Sequence, residues 1–325
     1  MTPSGSSHRL CVAPMMDWTD RHCRFFHRLL APSARLYTEM VTTGAVIHGD
    51  RDHLLGFDLS EKPIALQLGG SDPEALALAA AIGEGFGYDE INLNVGCPSD
   101  RVQQGRFGVC LMREPALVRE CLMAMSEAVS VPVTIKTRIG VDEYDSEAFF
   151  LDFVDQVTEG SGVDTVIIHA RKAWLKGLSP KENREVPDLN YERVYALAKH
   201  RPELKVVING GLVSVADCRL HTAGLSGVML GRAAYQTPWV LAEMTIELGG
   251  AAPATRGEVV RQMLDYLDSH LSRGGKFSQV ARHMLGLYRG CPGGRRWRQV
   301  LSQGMHKPDA SLALMIDACP DRLKS

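Results

Sequence analysis

Eight short apolar runs, rich in β-branched residues and separated by stretches with helical character, limit what this chain can fold into. They are LCVAPMM (10–16), ARLYTEM (34–40), PIALQLG (63–69), EINLNVG (90–96), PVTIKTR (132–138), TVIIHAR (165–171), KVVINGG (205–211) and GVMLGRA (227–233). Each is too short for a helix and does not alternate strictly, as expected of strands buried on both faces of a parallel sheet. The segments between them carry helix-start signals: Ser71 or Asp72 offers an N-cap ahead of Pro73, and Pro115 stands in the first turn of another helix. Eight β-then-α units in roughly 240 residues fit a closed (β/α)8 TIM barrel better than an open doubly wound sheet.

The pattern changes after Arg232. From about residue 245 the periodicity is helical throughout (RGEVVRQMLDYLDSHLSRG, SQVARHMLGLYRG, RRWRQVLSQGM), with no strand candidate, so residues 1–245 read as the barrel and 246–325 as a small helical domain. The boundary falls at LGGAAPATRGE, where small residues and Pro253 interrupt the helices.

Charge divides along the same line. Residues 1–245 hold 24 Lys+Arg against 31 Asp+Glu, whereas 246–325 hold 12 against 7. From Ser269 to Pro308 there is no acidic residue, while Arg273, Lys276, Arg282, Arg289, Arg295, Arg296, Arg298 and Lys307 all occur. A solvated helical face usually mixes both signs, so this stretch reads as a surface for a polyanion. The opening residues MTPSGSSHRL show no secretory signal, and no run approaches the roughly 18 apolar residues of a membrane helix, which makes the cytoplasm the expected compartment. The eight cysteines include no C-x-x-C pair, so reduced thiols are expected, with no disulfide framework and no metal site.

In a (β/α)8 barrel the carboxyl ends of the strands and the loops after them form the active face. Here those ends carry Met15 and Met16 after Pro14, then Glu39, Gln67, Asn94 with Cys97, Lys136 with Arg138, His169 with Arg171, Asn209 with Gly210 and Gly211, and Gly231 with Arg232. Polar groups at the ends of apolar strands must be desolvated or paired, a cost without return in a purely structural barrel. Gln67 taken alone fits a satisfied core amide, His169 a satisfied histidine, and Glu39 an ordinary ion pair; Lys136 is harder to excuse, because lysine is rarely buried without a partner. Asn209-Gly210-Gly211 and Gly231-Arg232 follow strands seven and eight, where this fold commonly binds phosphate, and glycine lets backbone N–H groups approach an oxyanion. A phosphate-bearing cofactor or substrate is expected there.

With VAPMMDWTD, ALQLGG, NLNVGCPSDRVQQGRFG, TIKTRIG, IIHARKAWLKGLSPKENRE, VVINGG and GVMLGRAAYQ in this order, the chain resembles the flavin-dependent tRNA-dihydrouridine synthases, and KAWLKGLSPKENRE with RHMLGLYRGCPGGRRWR resembles their A subfamily, which acts at positions 20 and 20a of the tRNA D-loop. The resemblance implies tightly bound FMN, with Pro14, Met15 and Met16 against the ring system, Gln67, Lys136 and His169 on its polar edge, and Asn209, Gly210, Gly211, Gly231 and Arg232 at the phosphate. It implies NADPH as reductant, hydride transfer from flavin N5 to C6 of uracil, and a proton delivered to C5 by Cys97. A free thiol has an ordinary pKa of about 8.5 and so holds a proton to give near neutrality. It further implies that tRNA is the partner, met by Asn94, Lys181, Arg184, Arg295 and Arg298, with no membrane or obligatory protein partner. Thr237 and Asp188 depart from the family pattern, where asparagine and proline are common. The roles of Glu39, Arg138 and Arg171 stay open. Three other readings compete: a flavin barrel acting on a free pyrimidine, which leaves the basic domain unexplained; a Schiff-base aldolase using Lys136, which needs no flavin; and a tRNA-binding module without catalysis.

Overall fold

The computed structural model describes residues 8–321, so the first seven residues, the last four and any charge they carry lie outside the description. Eight parallel strands close into a barrel in sequence order. They are β1 (Leu10–Val12), β2 (Arg35–Thr42), β3 (Ile64–Gly69), β4 (Glu90–Val95), β5 (Val133–Arg138), β6 (Thr165–His169), β7 (Lys205–Asn209) and β8 (Gly227–Leu230). Each lies inside its expected run or overhangs it by two residues, as β2 does. The differences sit at the mouth: Met15 and Met16 belong to the loop after β1, and Arg232 opens the short helix Arg232–Gln236.

Local chemistry explains the surrounding helices. In the helix Pro73–Gly85, Asp72 rather than Ser71 is the N-cap, accepting from Ala75 N–H at 2.8 Å, and Pro73 fills the first helical position, where no intrahelical N–H bond is required. That helix lies close to the sheet because Gly83 has no side chain: a Cβ there would stand 2.6 Å from Leu66 Cδ2 and 3.0 Å from Ile91 Cδ1. The outer faces of the strands and the inner faces of the helices form one continuous apolar core that includes Phe26, Leu66, Ile91, Phe150 and Leu241, all fully buried. Burying each such side chain contributes about 1.5–3 kcal/mol.

The barrel interior is divided. Cys11, Tyr37, Ala65, Ile167, Val207 and Met229 pack as a separate inner cluster. Against it, β3, β4 and β5 present a polar wall of Gln67, Glu90, Asn92, Asn94 and Thr134, all buried. The strand register sets Gln67 beside Asn92, Asn92 beside Thr134, and Asn94 beside Lys136.

The expected boundary at 245/246 falls within the last turn of the helix Trp239–Glu247, and the irregular link occupies residues 248–255. Thr255 and Glu258 form a capping box that starts the helix Arg256–Ser272. Shorter helices follow at Phe277–Ala281, Gly294–Gly304 and Leu312–Ala318, with no strand among the described residues after β8. Trp297 is fully buried and its indole N–H donates to the Met284 carbonyl at 2.9 Å. This unit docks on the helix Arg21–Leu30, where Phe25 stacks on Tyr266 at 4.1 Å and His22 Nδ1 shares a 2.8 Å hydrogen bond with Tyr266 OH. No helix among the described residues is long and apolar enough to cross a membrane.

Candidate active site

The strand ends surround a cleft of about 1350 Å³ that runs from the barrel mouth to Gln279, Arg282 and His306 of the helical unit. Lys136 rises from β5 at its floor. Its ammonium meets a neutral group, Asn209 Oδ1, at 3.2 Å, and no carboxylate pairs with it among the described residues. Asn209 is fixed in turn by donating Nδ2 to the Met229 carbonyl at 2.8 Å. Burial first, and then the neighbouring Arg138, bring the Lys136 pKa down to about 7, with Cys97 acting the other way. His169, at the end of β6, is held well below its ordinary value by burial and by Arg138 and Lys136, so its imidazole is neutral.

Cys97 stands in the turn after β4, half-buried, with Sγ 3.5 Å from Ser99 Oγ. Asn94 and Arg138 bind this turn from β4 and β5, while the Val109 N–H donates to the Cys97 carbonyl at 3.0 Å and Gln103 Nε2 to the Pro98 carbonyl at 2.9 Å. Asn94 Oδ1 accepts the N–H of Gly96 at 3.1 Å and that of Cys97 at 3.0 Å, while Asn94 Nδ2 donates to Gln67 Oε1 at 2.9 Å. Arg138 Nε donates to the Gly96 carbonyl at 2.8 Å. Asn94, expected to face substrate, is thus committed first to the cysteine turn, although it also lines the cleft.

On the opposite rim, Gly210 (φ +110) and Gly211 (φ +72) adopt backbone conformations that L-residues avoid. A Cβ on Gly210 would stand 2.6 Å from His169 Cδ2, and one on Gly211 would be 2.6 Å from Tyr191 OH. Gly231 is different: a Cβ there would meet nothing closer than Ala13 Cβ at 3.9 Å, toward the cleft. Arg232 reaches across to ion-pair with Glu185 and donates to the Arg184 carbonyl at 3.3 Å.

Two residues without a role in the sequence acquire structural ones. Glu39 accepts the N–H of Asp17, a non-glycine residue at φ +64, and thereby holds the Pro14-Met15-Met16 turn, which Thr19 Oγ1 braces by accepting from Met15 N–H at 2.9 Å. Arg171 donates to the carbonyls of Glu185 and Pro187, tying down the loop after β6. Thr237 Oγ1 donates to the Ala233 carbonyl at 3.0 Å, and Thr237 does not line the cleft.

The structure gathers Pro14, Met15, Met16, Gln67, Asn94, Cys97, Lys136, His169, Arg184, Asn209, Gly210, Gly211, Gly231 and Arg232 around one cleft. Lys181, Arg295 and Arg298 are exposed and lie outside it. Thr38 and Arg282 also line the cleft; the sequence places Arg282 in the acid-free basic stretch without assigning it to the site, and gives Thr38 no signal.

The family model described as dihydrouridine synthase (Dus) matches residues 11–321. The chain belongs to the dihydrouridine synthase family. A protein of Xanthomonas campestris pv. campestris is 58% identical over 312 residues, covering 96% of this chain and 93% of its own length. One from Vibrio parahaemolyticus is 55% identical over 314 residues, covering 96% of each chain, and one from Salmonella typhimurium is 54% identical over 314 residues, covering 96% of this chain and 94% of its own. All three bear the name tRNA-dihydrouridine(20/20a) synthase. A complex of 2-naphthoyl-CoA reductase with 2-naphthoyl-CoA shares the fold alone, with a TM-score of 0.56 and 10% identity over 74% of this chain and 50% of that one. Membership in the dihydrouridine synthase family makes the chain an oxidoreductase, because saturating the C5–C6 bond of uracil is a two-electron reduction.

Proposed function

We propose that this protein reduces uridine to 5,6-dihydrouridine in the D-loop of tRNA, at positions 20 and 20a, with FMN as cofactor and NADPH as electron source. The observation that carries this reading is the ammonium of Lys136, which among the described residues hydrogen-bonds to a neutral amide and pairs with no carboxylate, at the floor of the cleft that Cys97 also lines. A half-buried cation at the floor of a cleft, without a carboxylate, suits an anionic ligand.

The residues present suit FMN. Lys136 and the Gln67 amide would face the electron-accepting edge of the ring system, and neutral His169 would add a hydrogen bond. The open approach over Gly231, the backbone around Gly210 and Gly211, and Arg232 would receive the phosphate. Pro14, Met15 and Met16 would pack against the ring. When bound, FMN supplies the hydride obtained from NADPH. The chain's own part is to hold that group, exclude water and deliver a proton. Cys97 gives its thiol proton to C5 of the uracil as hydride arrives at C6, and solvent restores the thiol.

The target base must leave the RNA stack, at a cost of a few kcal/mol recovered from contacts with the RNA. Asn94 meets the base, Lys181 and Arg184 hold the strand near the mouth, and residues 246–325, with Arg295 and Arg298, provide the tRNA platform. A tRNA substrate places the protein in the cytoplasm. The test is Cys97→Ala in the FMN-loaded protein: FMN content, NADPH oxidation and tRNA binding are retained, while dihydrouridine formation on natural tRNA falls about 10²–10⁴-fold. Full activity in that variant would remove Cys97 as the acid, and a purified protein that takes up no FMN would remove the reading as a whole.

A further inference from the structure

A file of buried side chains leads from the far end of the barrel to the Cys97 turn. Glu90, at the start of β4, is fully buried; His8 Nε2 lies 2.6 Å from its Oε2, Arg35 stands at 3.5 Å, and Tyr37 OH donates to its Oε1 at 2.7 Å. Burial raises the Glu90 pKa, but His8, Arg35 and the Thr134 hydroxyl outweigh it and leave the carboxyl below its ordinary range, ionised. An ionised carboxylate can only accept. Thr134 must therefore turn its hydroxyl hydrogen to Glu90 Oε1, at 2.6 Å, and present a lone pair to Asn92 Nδ2, at 2.8 Å.

That choice propagates. With its NH2 group on Thr134, Asn92 turns its oxygen to Gln67 Nε2 at 2.8 Å, and Gln67 then turns its oxygen to Asn94 Nδ2 at 2.9 Å. Asn94 is left with its oxygen toward the N–H groups of Gly96 and Cys97. Were any link reversed, Asn94 would set an NH2 group against two N–H donors, and both turn hydrogen bonds would be lost.

We propose that Glu90, Thr134 and Asn92 are positioning residues for Cys97, acting through Gln67 and Asn94 as a one-directional hydrogen-bond chain that fixes the turn presenting the thiol. The proposal rests on the assignment of Cys97 as proton donor, but the chain itself can be read without any turnover. None of the three hydrogen-bonds to the turn: Asn92 and Thr134 lie inside the barrel, and Glu90 stands at its far end between His8 and Arg35.

The test uses Thr134→Val, which keeps the shape and removes the donor, and Thr134→Ser, which keeps the donor. In the ligand-free protein, amide hydrogen exchange at Gly96 and Cys97 quickens by at least about tenfold in Thr134→Val, while an amide within β6 such as Ile167 keeps its rate. Thr134→Ser restores protection. In the FMN-loaded protein, Thr134→Val leaves the rate of flavin reduction by NADPH unchanged and slows single-turnover dihydrouridine formation about tenfold or more. If Thr134→Val fails to fold, Asn92→Leu is read in the same way. Unaltered protection at Gly96 and Cys97 overturns the chain. Lost protection with an unaltered single-turnover rate overturns its positioning role. A wild-type protein that forms no dihydrouridine removes the enzymatic reading instead, and exchange at the turn then decides whether the chain exists.

Discussion

Arg138 Nε donates to the carbonyl oxygen of Gly96 at 2.8 Å, so a cation from β5 clamps the turn that carries Cys97 on the strand beside it. The same guanidinium donates through its NH1 group to the carbonyls of Lys172 and Asn183, both at 3.0 Å, joining the cysteine turn to the loop after β6. Three carbonyls around one planar group suit arginine, whose donors point in fixed, divergent directions, and not lysine, whose donors share one nitrogen. Burial lowers the Arg138 pKa to about 10, yet it stays charged near neutrality.

Arg138→Lys is therefore expected to lose about 1–3 kcal/mol of stability in urea unfolding and to slow single-turnover dihydrouridine formation by about 10–100-fold, with FMN still bound. Wild-type kinetics in this variant would show that the turn is held well enough without the guanidinium.

Lys136 gives a prediction for the cofactor-free protein. Its folded pKa of about 7 lies below the ordinary lysine value of 10.5, so between those values the unfolded chain binds a proton that the folded chain does not. Stability due to this group rises with pH across that window, and below about pH 7 the whole penalty of the buried charge is present. Lys136→Met removes the penalty. The melting temperature should exceed that of wild type by at least about 2 °C at pH 6, with the gap shrinking by pH 9, while FMN affinity falls. Equal melting temperatures at pH 6 would mean that the ammonium is solvated.

Arg295 and Arg298 are exposed on one helix, Gly294–Gly304, with no side-chain partner among the described residues, while Arg296 between them donates to the Asp317 carbonyl. On this helix, Arg295 and Arg298 are the guanidiniums proposed to meet tRNA phosphate. The double change Arg295→Ala with Arg298→Ala should weaken tRNA binding and lower the slope of log affinity against log salt by about 2, with NADPH oxidation unchanged. An unaltered slope would show that the RNA lies elsewhere.

The barrel was legible because its strands are apolar runs of the right length, and the mouth was legible because Gln67, Lys136 and His169 end such runs. Glu90, Asn92 and Thr134 were not, since each lies within an apolar strand and gains meaning only when closure brings β3, β4 and β5 side by side at a fixed register. Asn94 shows the limit at single-residue scale: its place was visible, but the backbone N–H groups it accepts depend on a turn that the sequence does not specify. Glu39 and Arg171 likewise hold main-chain groups, and sequence patterns say nothing about which carbonyl or N–H a side chain will find.

Acid should undo the seam between barrel and helical unit in two stages. His22, packed between Tyr266 and His270, is lowered to about 4 by burial, and His27, fully buried, to about 3. Because both lie below the ordinary histidine value of 6.5, the unfolded chain takes up protons that the folded chain refuses, and stability falls as pH drops from about 6.5 toward 4. Asp20 acts later. It caps the helix Arg21–Leu30 by accepting the Cys23 N–H at 2.9 Å and also binds Arg282 and His283 of the helical unit. Burial raises its pKa, but these partners outweigh it and hold the carboxyl far below its ordinary range, so its contribution is present above about pH 4 and is lost as pH falls further. His22→Phe, which keeps a ring against Tyr266, should flatten unfolding free energy against pH between 6.5 and 4. Asp20→Asn should cost about 2 kcal/mol near neutrality and weaken tRNA binding with FMN content intact. If Asp20→Asn leaves both stability and tRNA affinity at wild-type values, the ion pairs across the seam do not set the placement of the helical unit.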